Sequence, residues 1–158
     1  MSEIEAVMSR RETLEIIAFH LGDQQFCIRT TSIREIRGWA AATPLPHAPP
    51  EIMGVMNLRG TVIPIIDLAA KLGMRSHIDN RRAAIVVAEV GKSTVGLVVD
   101  QVSDILSISA DLVQPLPAFA RTFDSAYAHG IIPLDRGMVC FLNLDQMFAN
   151  LESAVELT

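Results

Sequence analysis

Apolar residues recur along this chain in short runs separated by glycine- and proline-bearing breaks, and within most runs they alternate with a period of two, the spacing of a β-strand. Ile17, Phe19 and Leu21 alternate with Ile16, Ala18 and His20; Gly22-Asp23 supplies a turn, and Phe26 and Ile28 resume the same face, which predicts a first hairpin. Thr30-Thr31-Ser32 caps a single helical turn, after which Ile33 to Arg37 reads as a short strand with mixed faces. Pro44, Pro46, Pro49 and Pro50 block regular structure between residues 40 and 53. The stretch Gly54 to Leu68, GVMNLRGTVIPIIDL, predicts a second hairpin turning through Asn57-Leu58-Arg59-Gly60, with Gly60 offering the positive φ that a tight turn needs. No structural demand puts an arginine at such a turn, so Arg59 is a candidate contact residue.

Asp67 caps a short helix from Leu68 to Leu72 that Gly73 ends, and the polar stretch Met74 to Arg82 marks the best internal boundary. Beyond it, Ala84 to Val90 and Val95 to Val99 flank the turn Gly91-Lys92-Ser93-Thr94. Val102, Leu106 and Ile108 then alternate with Ser103, Ile105 and Ser107, a strand with one wet face. After Gln114-Pro115-Leu116-Pro117, a last hairpin runs from Tyr127 to Leu144 across Leu134-Asp135-Arg136-Gly137. Leu144, Met147, Phe148 and Leu151 follow at helical spacing. An internal echo links the halves: Gly54, Arg59-Gly60 and Asp67 reappear as Gly130, Arg136-Gly137 and Asp145, with one extra residue on each side of the Arg-Gly pair. The pattern predicts an all-β protein of two packed five-stranded β-barrels with short helices. The expected bounds are a mobile tail over 1–13, sub-barrels over about 14–72 and 81–145, and a C-terminal helix from about 145.

Composition removes several functions. The chain has 158 residues, half of them hydrophobic, enough to bury a core. Its net charge of −5, with only the short Arg10-Arg11 and Arg81-Arg82 pairs, carries no footprint for nucleic acid or an anionic membrane. Cys27 and Cys140 sit far apart in apolar runs, which predicts two buried free thiols in a reducing compartment in preference to a disulfide. The start is neither a secretory signal nor a spanning segment, so a cytoplasmic location is expected.

His20, His47, His77 and His129 are scattered and stand at no ligand spacing from either cysteine, so neither a metal site nor a cofactor is expected. No GxSxG, phosphate-cradling loop or HExxH occurs, and Asp67 and Asp145 serve as helix caps rather than as catalytic carboxylates. An enzyme is not expected. Two alternatives have structural tests: a ligand-binding barrel needs an apolar cavity, and a hydrolase needs a carboxylate or histidine pair within hydrogen-bond reach. Glu35, fixed in face by Ile33 and Ile36, is expected to pair with Arg59.

Three stretches in order, Ser32 to Gly38, Gly54 to Leu68 and Gly96 to Leu106, resemble the CheW family of bacterial chemotaxis coupling proteins, and the likeness covers roughly Leu14 to Leu151. The resemblance implies a two-barrel fold of the Src-homology-3 kind and a non-catalytic adaptor. Its implied partners are the cytoplasmic hairpin tips of chemoreceptors and the regulatory domain of the CheA histidine kinase, in membrane-associated arrays. By motif position it places Ile33, Glu35, Gly54 and Arg59, with Val98, Val102 and Ile105 from the second barrel, against the receptor. It places Asn57, Leu58, Arg59 and Gly60 against the kinase. One departure stands out: the last hairpin reads Asp135-Arg136-Gly137-Met138, where the family more often has glycine ahead of arginine.

Overall fold

The computed structural model describes residues 12–75, 81–117 and 127–149. Its strands are β1 (Thr13–Leu21), β2 (Gln24–Arg29), β3 (Ile33–Gly38), β4 (Ile52–Leu58), β5 (Thr61–Asp67), β6 (Ala84–Val90), β7 (Ser93–Val99), β8 (Gln101–Ser109), β9 (Ala128–Leu134) and β10 (Gly137–Leu142). A one-turn helix α1 (Leu68–Lys71) follows β5 and another, α2 (Leu144–Met147), follows β10. The all-β reading holds, with Thr30–Ser32 and Ala110–Leu112 as single 3-10 turns. Of the tail expected over 1–13, residues 1–11 lie outside the described residues and Thr13 already belongs to β1. Leu151, counted into the closing helix, also lies outside them.

Two five-stranded sheets form, ordered β8-β1-β2-β10-β9 (sheet 1) and β3-β6-β7-β5-β4 (sheet 2). This corrects the contiguous division at 14–72 and 81–145, because each half of the chain lends its first hairpin to the other half's strands. Parallel pairing of β2 with β10 and of β5 with β7 joins the exchanged pieces. The physical reason lies in the hairpins themselves. Ile17, Phe19, Leu21, Phe26 and Ile28 fill one apolar cluster, whereas Ile16, Ala18 and Cys27 on the opposite face fill another. Strands apolar on both faces need packing against both, which the two clusters supply, while neighbouring strands satisfy their backbone edges. Alternation identifies such strands without identifying their neighbours.

Three clusters result. The largest lies between the sheets, where β1 and β2 pack against Val86, Ala88, Val95, Leu97 and Val99 of β6 and β7, with Leu68 of α1 and Met147 and Phe148 beside α2. Smaller clusters fill each sheet's inner side: Leu14, Ile16, Ile108, Ile132 and Phe141 in sheet 1, and Ile63, Ile65, Ile85, Val87 and Val98 in sheet 2. Lys71 adds a tie, its ammonium 5.6 Å from the Tyr127 ring and 5.5 Å from the Phe148 ring.

Both sheets curl so that the chain leaving one edge returns to the other. Thr43 bridges Val55 in sheet 2 and Gln114 bridges Ile131 in sheet 1. Glycine is required at each closure: a Cβ on Gly54 would meet the Thr43 carbonyl oxygen at 2.2 Å, and one on Gly130 would meet that of Gln114 at 2.3 Å. The internal echo is therefore structural, though its last member is Asn143 rather than Asp145. Asn143 caps α2 by accepting the Gln146 amide, as Asp67 caps α1 by accepting that of Ala70. Asp145 instead stands in the first turn of α2.

Both cysteines are free, Cys27 buried and Cys140 half-buried. They stand on neighbouring parallel strands, but Cys140 is level with Phe26 and Cys27 with Phe141, so the thiols project from opposite sides of the sheet. Burial, with a lesser effect from Cys140, pushes the Cys27 thiol up to about 12, and burial alone pushes Cys140 up to about 11. At pH 8 alkylation of the native protein should be slow at both positions and slower at Cys27; fast modification of Cys27 before unfolding would contradict its burial.

Because the central cluster draws on both sheets, Phe19→Ala should destabilise by about 3–5 kcal/mol and lower the stability of both together. Urea unfolding followed by the Trp39 fluorescence of sheet 2 and by amide signals of sheet 1 should give one midpoint. Two separated midpoints would show sheets that fold independently.

Candidate functional site

The β4–β5 hairpin closes Leu58 against Thr61 across Arg59 and Gly60, whose φ values are 51° and 90°. Two successive positive φ angles match the twist of a hairpin and are ordinarily supplied by Asn or Gly, so an arginine at the first is held at a conformational cost. Asn57 offsets part of that cost by accepting the Gly60 amide at 2.8 Å. The side chain meets Glu35 on β3, at the opposite edge of sheet 2. Nη2 donates to Oε2 at 3.2 Å, and Nη1 lies 3.0 Å from Oε1 without hydrogen-bond alignment, leaving that enclosed oxygen an unused acceptor. The expected ion pair is present, with side chains 76% exposed at Arg59 and 26% at Glu35.

Glu35 reaches this seam through a β-bulge. Opposite β6, Ile33 faces Ala88 and Glu35 faces Val87, so Arg34 is the extra residue. Arg34 bonds across the strands to Glu89. The inserted residue shifts the alternation, so that Ile33 and Ile36 share the face of Ala88 and Val86 while Glu35 turns toward the seam. Ile36, next to Glu35 in the chain, is nonetheless 42% exposed. A depression of about 180 Å³ opens there between Arg34, Glu35, Arg59 and Thr94.

Strand β8 repeats the arrangement in sheet 1. Ala18 faces Asp104 and Phe19 faces Val102, which leaves Ser103 as the bulged residue, hydrogen-bonded to His20 Nδ1 at 2.9 Å. Val102 and Ile105, three residues apart, thereby fall on one face, that of Phe19 and Ile17. Val102 packs against the central cluster and Ile105 is 64% exposed. Asp104 pairs with Arg136 of the β9–β10 turn at 2.5 Å, as Glu35 pairs with Arg59. Order along the strands matches throughout: Ile33, Arg34, Glu35 and Ile36 correspond to Val102, Ser103, Asp104 and Ile105.

The structure sorts the remaining sequence-selected residues. Ile33 and Val102 both pack against the central cluster, one from each sheet. Val98 is 1% exposed inside sheet 2, the same sheet as Ile33, so it neither faces a partner nor belongs with Val102 and Ile105. Gly54 is buried beneath Thr43 and acts by closure. Asn57 and Gly60 are exposed on the β4–β5 turn, while Leu58 is half-buried against the sheet 2 cluster.

A second depression, about 300 Å³, is bordered by Arg29, Ser32, His129, Asn143 and Asp145. Arg29 lies over the Phe141 ring at 5.6 Å and the His129 ring leans on it at 4.6 Å. Desolvation, and then Arg29, hold the imidazole below its usual 6.5, opposed by Asp145. Among the described residues no hydrogen bond links Ser32, His129 and Asp145. No group of three or more His, Cys, Asp or Glu among them is placed to hold a metal, and none of their helices is long and apolar enough to cross a membrane.

A pair of curled five-stranded sheets carrying an arginine–carboxylate pair at each seam defines a two-lobed β protein. The CheW-like domain model matches residues 15–152, and the chain belongs to that family. It is 48% identical over 139 residues, 88% of this chain and 90% of the relative, to a probable chemotaxis protein CheW of Rhizobium etli. It is 34% identical to a chemotaxis protein CheW of Klebsiella aerogenes, covering 89% and 85% of the two chains. The crystal structure of the scaffolding protein TtCheW from Thermoanaerobacter tengcongensis superposes with a TM-score of 0.80 at 28% identity, covering 87% of this chain and 93% of that one.

An exposed ion pair adds only about 0–1 kcal/mol, and the strained turn offsets part of that. Arg59→Asn, which suits the turn backbone, should therefore leave the melting temperature unchanged or slightly higher, and Glu35→Ala should lower it by no more than about 2–4 °C. Differential scanning calorimetry decides; a drop above about 10 °C for either would make the pair a structural element rather than a contact surface.

Proposed function

We propose that this protein is a chemotaxis adaptor that joins the cytoplasmic hairpin tips of chemoreceptors to a CheA-type histidine kinase. Family membership supports the adaptor class, since its relatives carry the name chemotaxis protein CheW and the structural neighbour is described as a scaffolding protein. The observation that carries the residue-level reading is the bulge in β8, which sets Val102 and exposed Ile105 on one apolar face. Such a strip accepts a helix that offers anchors one turn apart. On the other sheet, the Glu35–Arg59 seam and the turn from Asn57 to Gly60 form a charged, rigid surface suited to a folded domain, here the kinase's regulatory domain. Work at receptor arrays implies a cytoplasmic protein recruited to the membrane by its partner, with no insertion of its own.

Copurification with a receptor tip fragment, and separately with the kinase, tests the adaptor reading; failure to bind either removes it. Ile105→Asp should place an unpaired charge on the strip and weaken receptor-tip binding by at least about tenfold while the circular dichroism spectrum is retained. Kinase binding by that variant should be unaffected. Undiminished tip affinity in the folded variant would take Ile105 out of the receptor surface.

A further inference from the structure

We propose that Asp104 and Arg136 are positioning residues for the partner-facing strand: their ion pair holds the β8 bulge in the register that puts Val102 and Ile105 on one face. The inference rests on the adaptor reading for its partner and on geometry for its mechanism. In an unbulged strand, residues three apart point to opposite sides, so the strip exists only while Ser103 stays looped out between Val102 and Asp104. A slip of one residue would turn either Val102 or Ile105 away from that face.

Edge position makes the slip a real hazard. In sheet 1, β8 pairs with β1 alone, so its outer side relies on side-chain ties. Upstream of the bulge, the Asp100 amide donates to the His20 carbonyl at 3.1 Å, the Asp100 carboxylate accepts the Gly22 amide at 2.6 Å, and Ser103 meets His20. These bonds secure β8 to the β1–β2 hairpin up to and including the inserted residue, Ser103. Immediately after it the tie is Asp104 to Arg136, reaching across the seam to the β9–β10 turn. Arg136 is anchored at its other end as well, since its carbonyl accepts the Gln25 side-chain amide at 3.1 Å. The bulge is thus clamped on both sides, by β1–β2 up to Ser103 and by the β9–β10 turn after it. The departure in turn sequence, arginine ahead of glycine, gains a purpose: Gly137 takes the φ of 121° and the arginine points back at β8.

Both side chains are partly exposed, 47% at Asp104 and 32% at Arg136, so loss of the pair should disturb register more than stability. The test uses the full chain with Asp104→Asn, Arg136→Gln and the charge-swapped Asp104→Arg/Arg136→Asp double variant. Two readouts are needed. Hydrogen exchange should be faster at the Asp104, Ile105 and Leu106 amides in each single variant and return toward the native rate in the swapped one, with or without a partner. Calorimetric titration with a receptor hairpin-tip fragment should show affinity about 2- to 5-fold weaker in each single variant, the scale of one surface ion pair, and largely recovered in the double. Native protein that fails to bind the tip would overturn the adaptor reading while the exchange result still judges the clamp. Unchanged exchange in the single variants would overturn the clamp, and weakened binding that the swap does not recover would make these residues direct partner contacts.

Discussion

Burial of both faces of the β1–β2 hairpin is the constraint on which the molecule depends. One face, through Ile17, Phe19, Leu21, Phe26 and Ile28, forms the layer between the sheets; the other, through Ile16, Ala18 and Cys27, lines the inside of sheet 1. Its two faces are covered by separate clusters, and its two backbone edges are flanked by β8 on one side and β10 on the other. The β6–β7 hairpin poses the same problem and is flanked by β3 and β5. Exchange of hairpins between halves is the shared solution, and it leaves the lobes inseparable.

That framework leaves charged and apolar side chains exposed at its seams. Strands β3 and β8 are edges, each bulged at one residue and each followed across the seam by an arginine-bearing turn. The bulges decouple exposure from the alternation that governs the core, allowing Ile36 and Ile105 to be exposed beside residues that pack inward. Charged side chains alongside them contribute little to folding free energy, which leaves them free to serve orientation and partner choice. Edge strands with charges and bulges are also poor templates for indiscriminate pairing.

Much of this was legible in the chain. Period-two runs located the hairpins, the Glu35–Arg59 pair followed from a fixed strand face and an arginine at a turn, and the likeness of three motifs led to the family. Strand partnership was not legible, because alternation records which positions are buried but not what buries them; hence the contiguous sub-barrels and the misplacement of Val98. Bulges escaped for a related reason. Neither Arg34 nor Ser103 bears a residue-type signal for looping out, so simple alternation set Val102 and Ile105 on opposite faces. A signal was nonetheless available for the second seam: aligning Ile33-Arg34-Glu35-Ile36 with Val102-Ser103-Asp104-Ile105 points from Arg59 directly to Arg136. For α2, the spacing from Gly54 to Asp67 equals that from Gly130 to Asn143, which identifies the true cap.

The exchanged hairpins also dictate an order of events at the ribosome. The β1–β2 hairpin is the first described piece of the chain to emerge, yet β10, the strand that pairs with β2, ends only at Leu142. At the usual pace of synthesis the interval between them is on the order of ten seconds, long against the microseconds in which a hairpin closes. Through that wait β2 lacks its parallel partner, and the pairing that finally supplies it is a long-range contact of the kind that forms slowly. The decisive step of productive folding therefore waits on β10, and the nascent chain must be kept from aggregating until that strand is available.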